Sequence, residues 1–103
     1  KNPRIVVADL ALDTVAKQVS RRGRPVELSA REYALLEYLT MRSGEVVSRT
    51  DIWTHLYEMS DESTSNVVDV YVGYLRRKLE SGGGARLIQT RRGLGYVLEA
   101  PSE

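Results

Sequence analysis

Two pairs of adjacent guanidinium groups are the first chemistry the chain offers. Arg91 and Arg92 stand beside a Gly93-Leu94-Gly95 corner, and Arg76 and Arg77 run together with Lys78 into a triple glycine. A guanidinium is planar, permanently charged and forked, which suits it to phosphate and to the edges of bases. Residues 71–98 hold six cations (Arg76, Arg77, Lys78, Arg86, Arg91 and Arg92) against Glu80 alone, a local charge of +5 in a chain whose net charge is +1. Residues 50–70 reverse the sign, with Asp51, Glu58, Asp61, Glu62 and Asp69 and no lysine or arginine. Neighbouring segments of opposite sign point to two surfaces that meet different partners.

Catalytic patterns are lacking. There is no Gly-x-x-x-x-Gly-Lys phosphate loop, the Gly93 and Gly95 pair lacks the third glycine of a dinucleotide-binding turn, and no serine, histidine and acid share a supporting context. Asp51 and His55 fall on one helix face at four-residue spacing, which reads as a surface ion pair. With no cysteine and a single histidine, neither a disulfide nor a zinc site can be built, and no cofactor or metal is expected. No apolar run approaches the roughly 20 residues that span a bilayer, and no signal peptide opens the chain, so a soluble cytoplasmic domain is expected. A length of 103 residues suits one domain with a real core.

The elements that must position the arginines can be read in order. Residues 1–28 carry strand-like pieces punctuated at Asp13-Thr14 and Arg22-Gly23, which predicts a small antiparallel sheet. "LSAREYALLEYLTMRSG" predicts a helix, with Ser29 and Glu32 spaced as a capping box, Leu35, Leu36, Leu39 and Met41 along it, and Gly44 as its stop. "VVSRTDIWTHLY" predicts a second helix capped by Ser48, and after the polar "EMSDESTSN" a third runs from about residue 64 to the glycines at 82–84. "LIQTRRGLGYVLEA" predicts a hairpin with Arg91 and Arg92 at its tip, Gly93 and Gly95 turning it and keeping it slim, and Tyr96 packing back onto the body.

The faces of the third helix follow from about 100° per residue. Val68, Val72, Leu75 and Leu79 form a narrow core stripe, and Asn66, Val70, Gly73 and Arg77 fall opposite, flanked by Asp69 and Arg76 on one side and Tyr74 on the other. Two readings of Gly73 stand: a backbone that must closely approach a large ligand, or a tolerated surface glycine. The "RRK" run likewise suits either a ligand or the negative end of the helix dipole. A basic hairpin directly after such a helix favours the ligand, because together they can grip a major groove and the narrow minor groove beside it.

At these segments the chain resembles the winged-helix effector domains of OmpR/PhoB-type two-component response regulators. The patterns "LSxREYxLLEYL", "VVSRxxIW", "VDVYVxxLRRKL" and "TxRGxGY" occur in order, and the resemblance covers residues 4–99. It implies an α+β winged helix-turn-helix with an N-terminal four-stranded antiparallel sheet, three helices and a C-terminal hairpin wing over about residues 87–98. It further implies transcription control by binding of tandem half-sites on double-stranded DNA, in the cytoplasm and at the bacterial nucleoid. A phosphorylated receiver domain and a sensor kinase would act through a longer protein, with residues 1–3 as a linker remnant of it.

Carried over by position, the resemblance implies that Asn66, Val70, Gly73, Tyr74 and Arg77 face DNA, that Arg92 is the wing arginine, and that Arg49 and Trp53 touch phosphates. Arg76 and Arg91 join this set by their placement. Gly73 and Tyr74 stand where many members have basic residues, and Arg91 where a small apolar residue is common, so base reading differs: Tyr74 offers one hydroxyl and an apolar ring instead of a fork. In the family the loop between helices two and three can contact RNA polymerase, which marks Glu58, Asp61 and Glu62; a solvated loop without a partner is the other reading. The alternative to DNA is a winged helix used as a protein-binding module.

Overall fold

The computed structural model describes residues 3–57 and 67–101. Four short strands, β1 (Arg4–Val7), β2 (Leu10–Asp13), β3 (Gln18–Arg21) and β4 (Arg24–Val26), pair as an antiparallel meander. Period-two alternation sets the faces: Leu10, Leu12 and Val19 are buried, whereas Asp13 and Gln18 are exposed. Asp13 Oδ1 accepts from the N–H groups of Val15 and Ala16, both at 3.0 Å, and so shapes the turn between β2 and β3.

Helix α1 (Ala30–Met41) begins at the expected capping box. Ser29 Oγ accepts from the Glu32 N–H at 3.2 Å, and Glu32 Oε1 accepts from the Ser29 N–H at 2.9 Å. Lys78 Nζ, 2.7 Å from the same Oε1, ties this end of α1 to the third helix. Burial pushes the Glu32 carboxyl up, but the bonds from Lys78 and Ser29 outweigh it and hold the group below the usual carboxylate range. Leu35, Leu36 and Leu39 are buried, while Met41 at the helix end is exposed. Gly44 then donates its N–H to Leu98 O at 2.9 Å.

Helix α2 (Arg49–Tyr57) is capped by Ser48, whose Oγ accepts from the Asp51 N–H at 3.0 Å, and it buries Ile52 and Leu56. His55 is not paired with Asp51 as its spacing suggests: its ring stacks on Tyr38 with centroids 4.2 Å apart, so an aromatic contact between α1 and α2 explains it. Helix α3 (Val67–Glu80) buries Val67, Val68, Val72, Leu75 and Leu79, which is the computed stripe extended by one residue. Its expected start near residue 64, with Asn66, Glu58, Asp61 and Glu62, lies outside the described residues. The C-terminal hairpin consists of β5 (Ile88–Arg91) and β6 (Gly95–Leu98). One continuous core joins the sheet, the helices and the hairpin. Each fully buried leucine or valine in it contributes on the order of 2 kcal/mol.

Two long-range ties hold the hairpin and α3 in place. Val47, between α1 and α2, exchanges backbone hydrogen bonds with Tyr96 of β6, at 2.8 Å and 2.9 Å. Arg21 is buried on the inner face of the sheet: its Nε meets Asp9 at 2.7 Å, Nη1 donates to Leu79 O at 3.0 Å and Nη2 to Ala85 O at 2.5 Å. It therefore satisfies a carbonyl at the C-terminus of α3, where a cation also meets the helix dipole favourably. Arg22 continues the grip, donating from Nη1 to Gly83 O at 2.7 Å.

Gly95 makes the first tie possible. Its φ is +143°, and a Cβ there would sit 2.0 Å from Val47 O, an overlap that no rotamer can relieve because the obstacle is backbone. The glycine was expected to slim the hairpin tip; its actual task is to let β6 lie against the chain before α2. Gly95→Ala is expected to destabilise the domain by more than about 3 kcal/mol. Thermal unfolding checks this, and a melting temperature within a few degrees of the parent would show that the Val47 contact is dispensable.

Candidate nucleic-acid interface

The outward side of α3 is built from Val70, Gly73, Tyr74 and Arg77. Val70 is 45% and Tyr74 43% exposed, unusual for apolar groups on a helix whose other face already supplies the core. Arg77 is exposed, with its guanidinium 5.7 Å from the centre of the Tyr74 ring. A Cβ at Gly73 would meet nothing within 4 Å, so internal packing does not demand glycine there. The result is a helix face with a low apolar strip, one ring and one cation. Such a strip can lie close to base edges and touch thymine methyls, and the cation can reach phosphate or guanine.

The hairpin forms the second part. Leu94 donates its N–H to Arg91 O at 2.8 Å, which closes a turn whose third residue, Gly93, has φ +77°, the position at which a type II turn requires positive φ. Arg92 and Leu94 project from this tip; Leu94 is 65% exposed, and Arg92 makes no hydrogen bond or ion pair among the described residues. Arg91 differs, because its Nη2 reaches back along the hairpin and donates to Glu99 Oε2 at 2.7 Å. The two adjacent cations are thus separated by strand alternation: one is held by a carboxylate and the other is presented.

Arg76 is turned away from the outer face of α3 and fastens the hairpin to it. Its Nε donates to Ile88 O at 3.0 Å, its Nη2 to Thr90 Oγ1 at 2.8 Å, and its guanidinium lies 5.6 Å over the Tyr96 ring. A phosphate-gripping role is expected from its placement; in the folded chain its Nε and Nη2 also brace β5.

Asp69 joins three elements. Its Oδ1 accepts from Arg49 Nε at 3.2 Å and its Oδ2 from Arg49 Nη2 at 2.8 Å, so the first residue of α2 is gripped at two points. The Tyr96 hydroxyl donates to Oδ1 at 2.5 Å. Burial first, and then this hydrogen bond, push the Tyr96 hydroxyl up to about 12. Trp53, one turn along α2 from Arg49, is half-buried and packs against the core.

Of the residues expected at the site, Val70, Gly73, Tyr74 and Arg77 share one face, Arg92 stands at the hairpin tip, and Arg49 is brought to α3 by Asp69. Asn66, Glu58, Asp61 and Glu62 lie outside the described residues. Sequence reasoning did not mark Leu94 or Asp69. The signal for Leu94 was its position between two turn glycines, where an apolar side chain has no core to enter. Asp69 was placed beside the outer face by its helical angle, but its partners Arg49 and Tyr96 are distant in sequence and carried no local signal.

Comparison with known proteins agrees with this architecture. The family described as "Transcriptional regulatory protein, C terminal" matches residues 23–98. Response regulator MprA of Mycobacterium sp. (strain KMS) is 41% identical over 97 residues, covering 94% of this chain and 42% of that protein. Response regulator protein PmrA of Pseudomonas aeruginosa is 44% identical over 100 residues, covering 97% of this chain and 43% of that one. The Klebsiella pneumoniae RstA DNA-binding domain, solved in complex with the RstA box, superposes with a TM-score of 0.80 at 28% identity, covering 93% of this chain and 96% of that chain. The chain spans less than half the length of the curated relatives it matches. With the sheet, three helices and hairpin in the same order, the chain belongs to the transcriptional-regulator C-terminal family, as a winged-helix effector domain of the OmpR/PhoB response-regulator type.

Proposed function

We infer that this chain is a single domain that binds double-stranded DNA and is the output module of a two-component response regulator. The exposed row Val70, Gly73, Tyr74 and Arg77 carries the reading. A helix fits the major groove, which is about 12 Å wide, and this helix presents an approachable backbone strip beside a cation. With α3 in that groove, the hairpin enters the adjacent minor groove, where narrow A·T-rich stretches concentrate negative potential and favour Arg92. Tandem half-sites, a receiver domain, a sensor kinase and residence at the bacterial nucleoid belong to the same reading, supported by the family. Glu58, Asp61 and Glu62 concentrate charge that DNA would repel, which suits contact with RNA polymerase.

Exposed Val70, Tyr74 and Leu94 would also serve a protein partner, so the decisive experiment is binding to random and selected duplexes against salt. DNA binding predicts affinity that falls steeply, each phosphate contact adding about 0.9 to the log–log slope. Salt-insensitive or absent binding favours the protein-binding module.

Four variants extend the test. Arg92→Lys keeps the charge but loses the weakly hydrated fork, and should weaken binding by roughly 1 kcal/mol, more on A·T-rich than on G·C-rich flanks. Arg91→Lys should be nearly silent, since Glu99 already engages that position; equal losses for both variants on both flanks would reduce the tip to generic positive charge. Gly73→Ala should raise helix stability by up to about 1 kcal/mol and yet weaken DNA binding, because a methyl group then stands in the line of approach. Unchanged affinity would make Gly73 an ordinary surface residue. Replacing Glu58, Asp61 and Glu62 together by alanine should leave operator affinity intact while lowering activated transcription in a reconstituted assay, and parent-level transcription would leave the segment as a connector.

A further inference from the structure

We propose that Asp69 is a positioning residue for phosphate binding: it orients Arg49 toward the DNA backbone and sets the wing against α3. The proposal rests on the DNA-binding reading above. A half-exposed carboxylate directly before Val70 on the recognition face is at odds with a polyanionic ligand when considered alone. Its partners resolve the conflict. The Nε–Nη2 edge of Arg49 is occupied by the two carboxylate oxygens, at 3.2 Å and 2.8 Å, which fixes the plane of the guanidinium and leaves its Nη1 end directed away from Asp69. The side chain stays 46% exposed, so that end can donate to a phosphate oxygen.

The same carboxylate accepts the Tyr96 hydroxyl proton, so Tyr96 has no proton left to offer a phosphate and acts as a tether for β6. Arg76, lying over the other side of this junction at 5.6 Å from the Tyr96 ring, holds β5. Both strands of the wing are thereby indexed to α3, and the N-terminus of α2 is indexed to it through one side chain. Asp69 touches no reacting or recognised group itself; it acts through Arg49 and Tyr96.

The test turns on a difference of sign. By charge alone, Asp69→Asn removes a negative group facing a polyanion and should bind DNA more tightly with a steeper salt slope. Positioning predicts the reverse: affinity about tenfold weaker at moderate salt and a slope reduced in magnitude by about one, as for Arg49→Ala. A merely destabilised domain would lose affinity with the slope unchanged. The double variant Asp69→Asn with Arg49→Ala should lose little beyond Asp69→Asn alone, because that change already removes the Arg49 contact.

Affinities are measured on one duplex over a salt series, alongside thermal melting of each protein. Equal or tighter binding by Asp69→Asn overturns the proposal, and so does a loss that adds fully to that of Arg49→Ala. If Asp69→Asn melts below the assay temperature, Arg49→Lys decides, since lysine keeps the charge without the two-point grip: a loss supports positioning and parent-level affinity overturns it. A parent chain without salt-dependent duplex binding overturns the DNA reading itself, before any variant is compared.

Discussion

The amide and carbonyl of Val47 exchange hydrogen bonds with Tyr96, and what the C-terminal hairpin can do follows from that contact. A two-stranded hairpin alone is marginal in water, and one that must present a cation at its tip cannot cover itself with a sheet partner on each side. Here Val47, between α1 and α2, bridges to Tyr96 one pair below the turn, and Gly95 supplies the space for it. The tip is then left without a packing duty. Burial of Ile88, Val97 and Leu98 anchors the hairpin in the core, while Leu94 at the tip stays exposed.

Arginine is used in two opposed ways. Arg21 and Arg76 turn their forks inward, where donors in a fixed plane meet Leu79 O and Ala85 O from Arg21, and Ile88 O and the Thr90 hydroxyl from Arg76. Arg77 and Arg92 turn theirs outward. Arg49 and Arg91 stand between, each half-exposed and each held by a carboxylate. The net charge of the chain is nearly zero, so its attraction for a polyanion depends on which cations are left unneutralised and where, a selection made by folding and invisible in the composition.

Much of this was legible in the sequence because the relevant signals are local. The capping box at Ser29 and Glu32, the stripe Val68, Val72, Leu75 and Leu79, and the cap at Ser48 each depend on residues within a few turns, and each was found in place. What stayed hidden depends on distant partners. The helical angle of Arg76, which borders the outer face, suggested phosphate alone; its partners Ile88 and Thr90 come from across the fold. Asp69 carried the same angular ambiguity, and only the folded chain brings Arg49 and Tyr96 to it. Gly95 was recognised as needing an unusual φ, but its neighbour across the fold could not be named.

The grip of Arg21 on the end of α3 has a consequence for how the chain can vary. Gly84 lies so close to that guanidinium that a Cβ would fall 2.5 Å from its central carbon. Either the glycine stays, or the buried arginine gives up its bonds to Asp9, Leu79 O and Ala85 O. The dependence runs one way: a side chain at position 84 requires Arg21 to move, whereas a smaller residue at position 21 leaves Gly84 undisturbed. The N-terminal sheet in this way limits which residues can follow the helix that carries the recognition face.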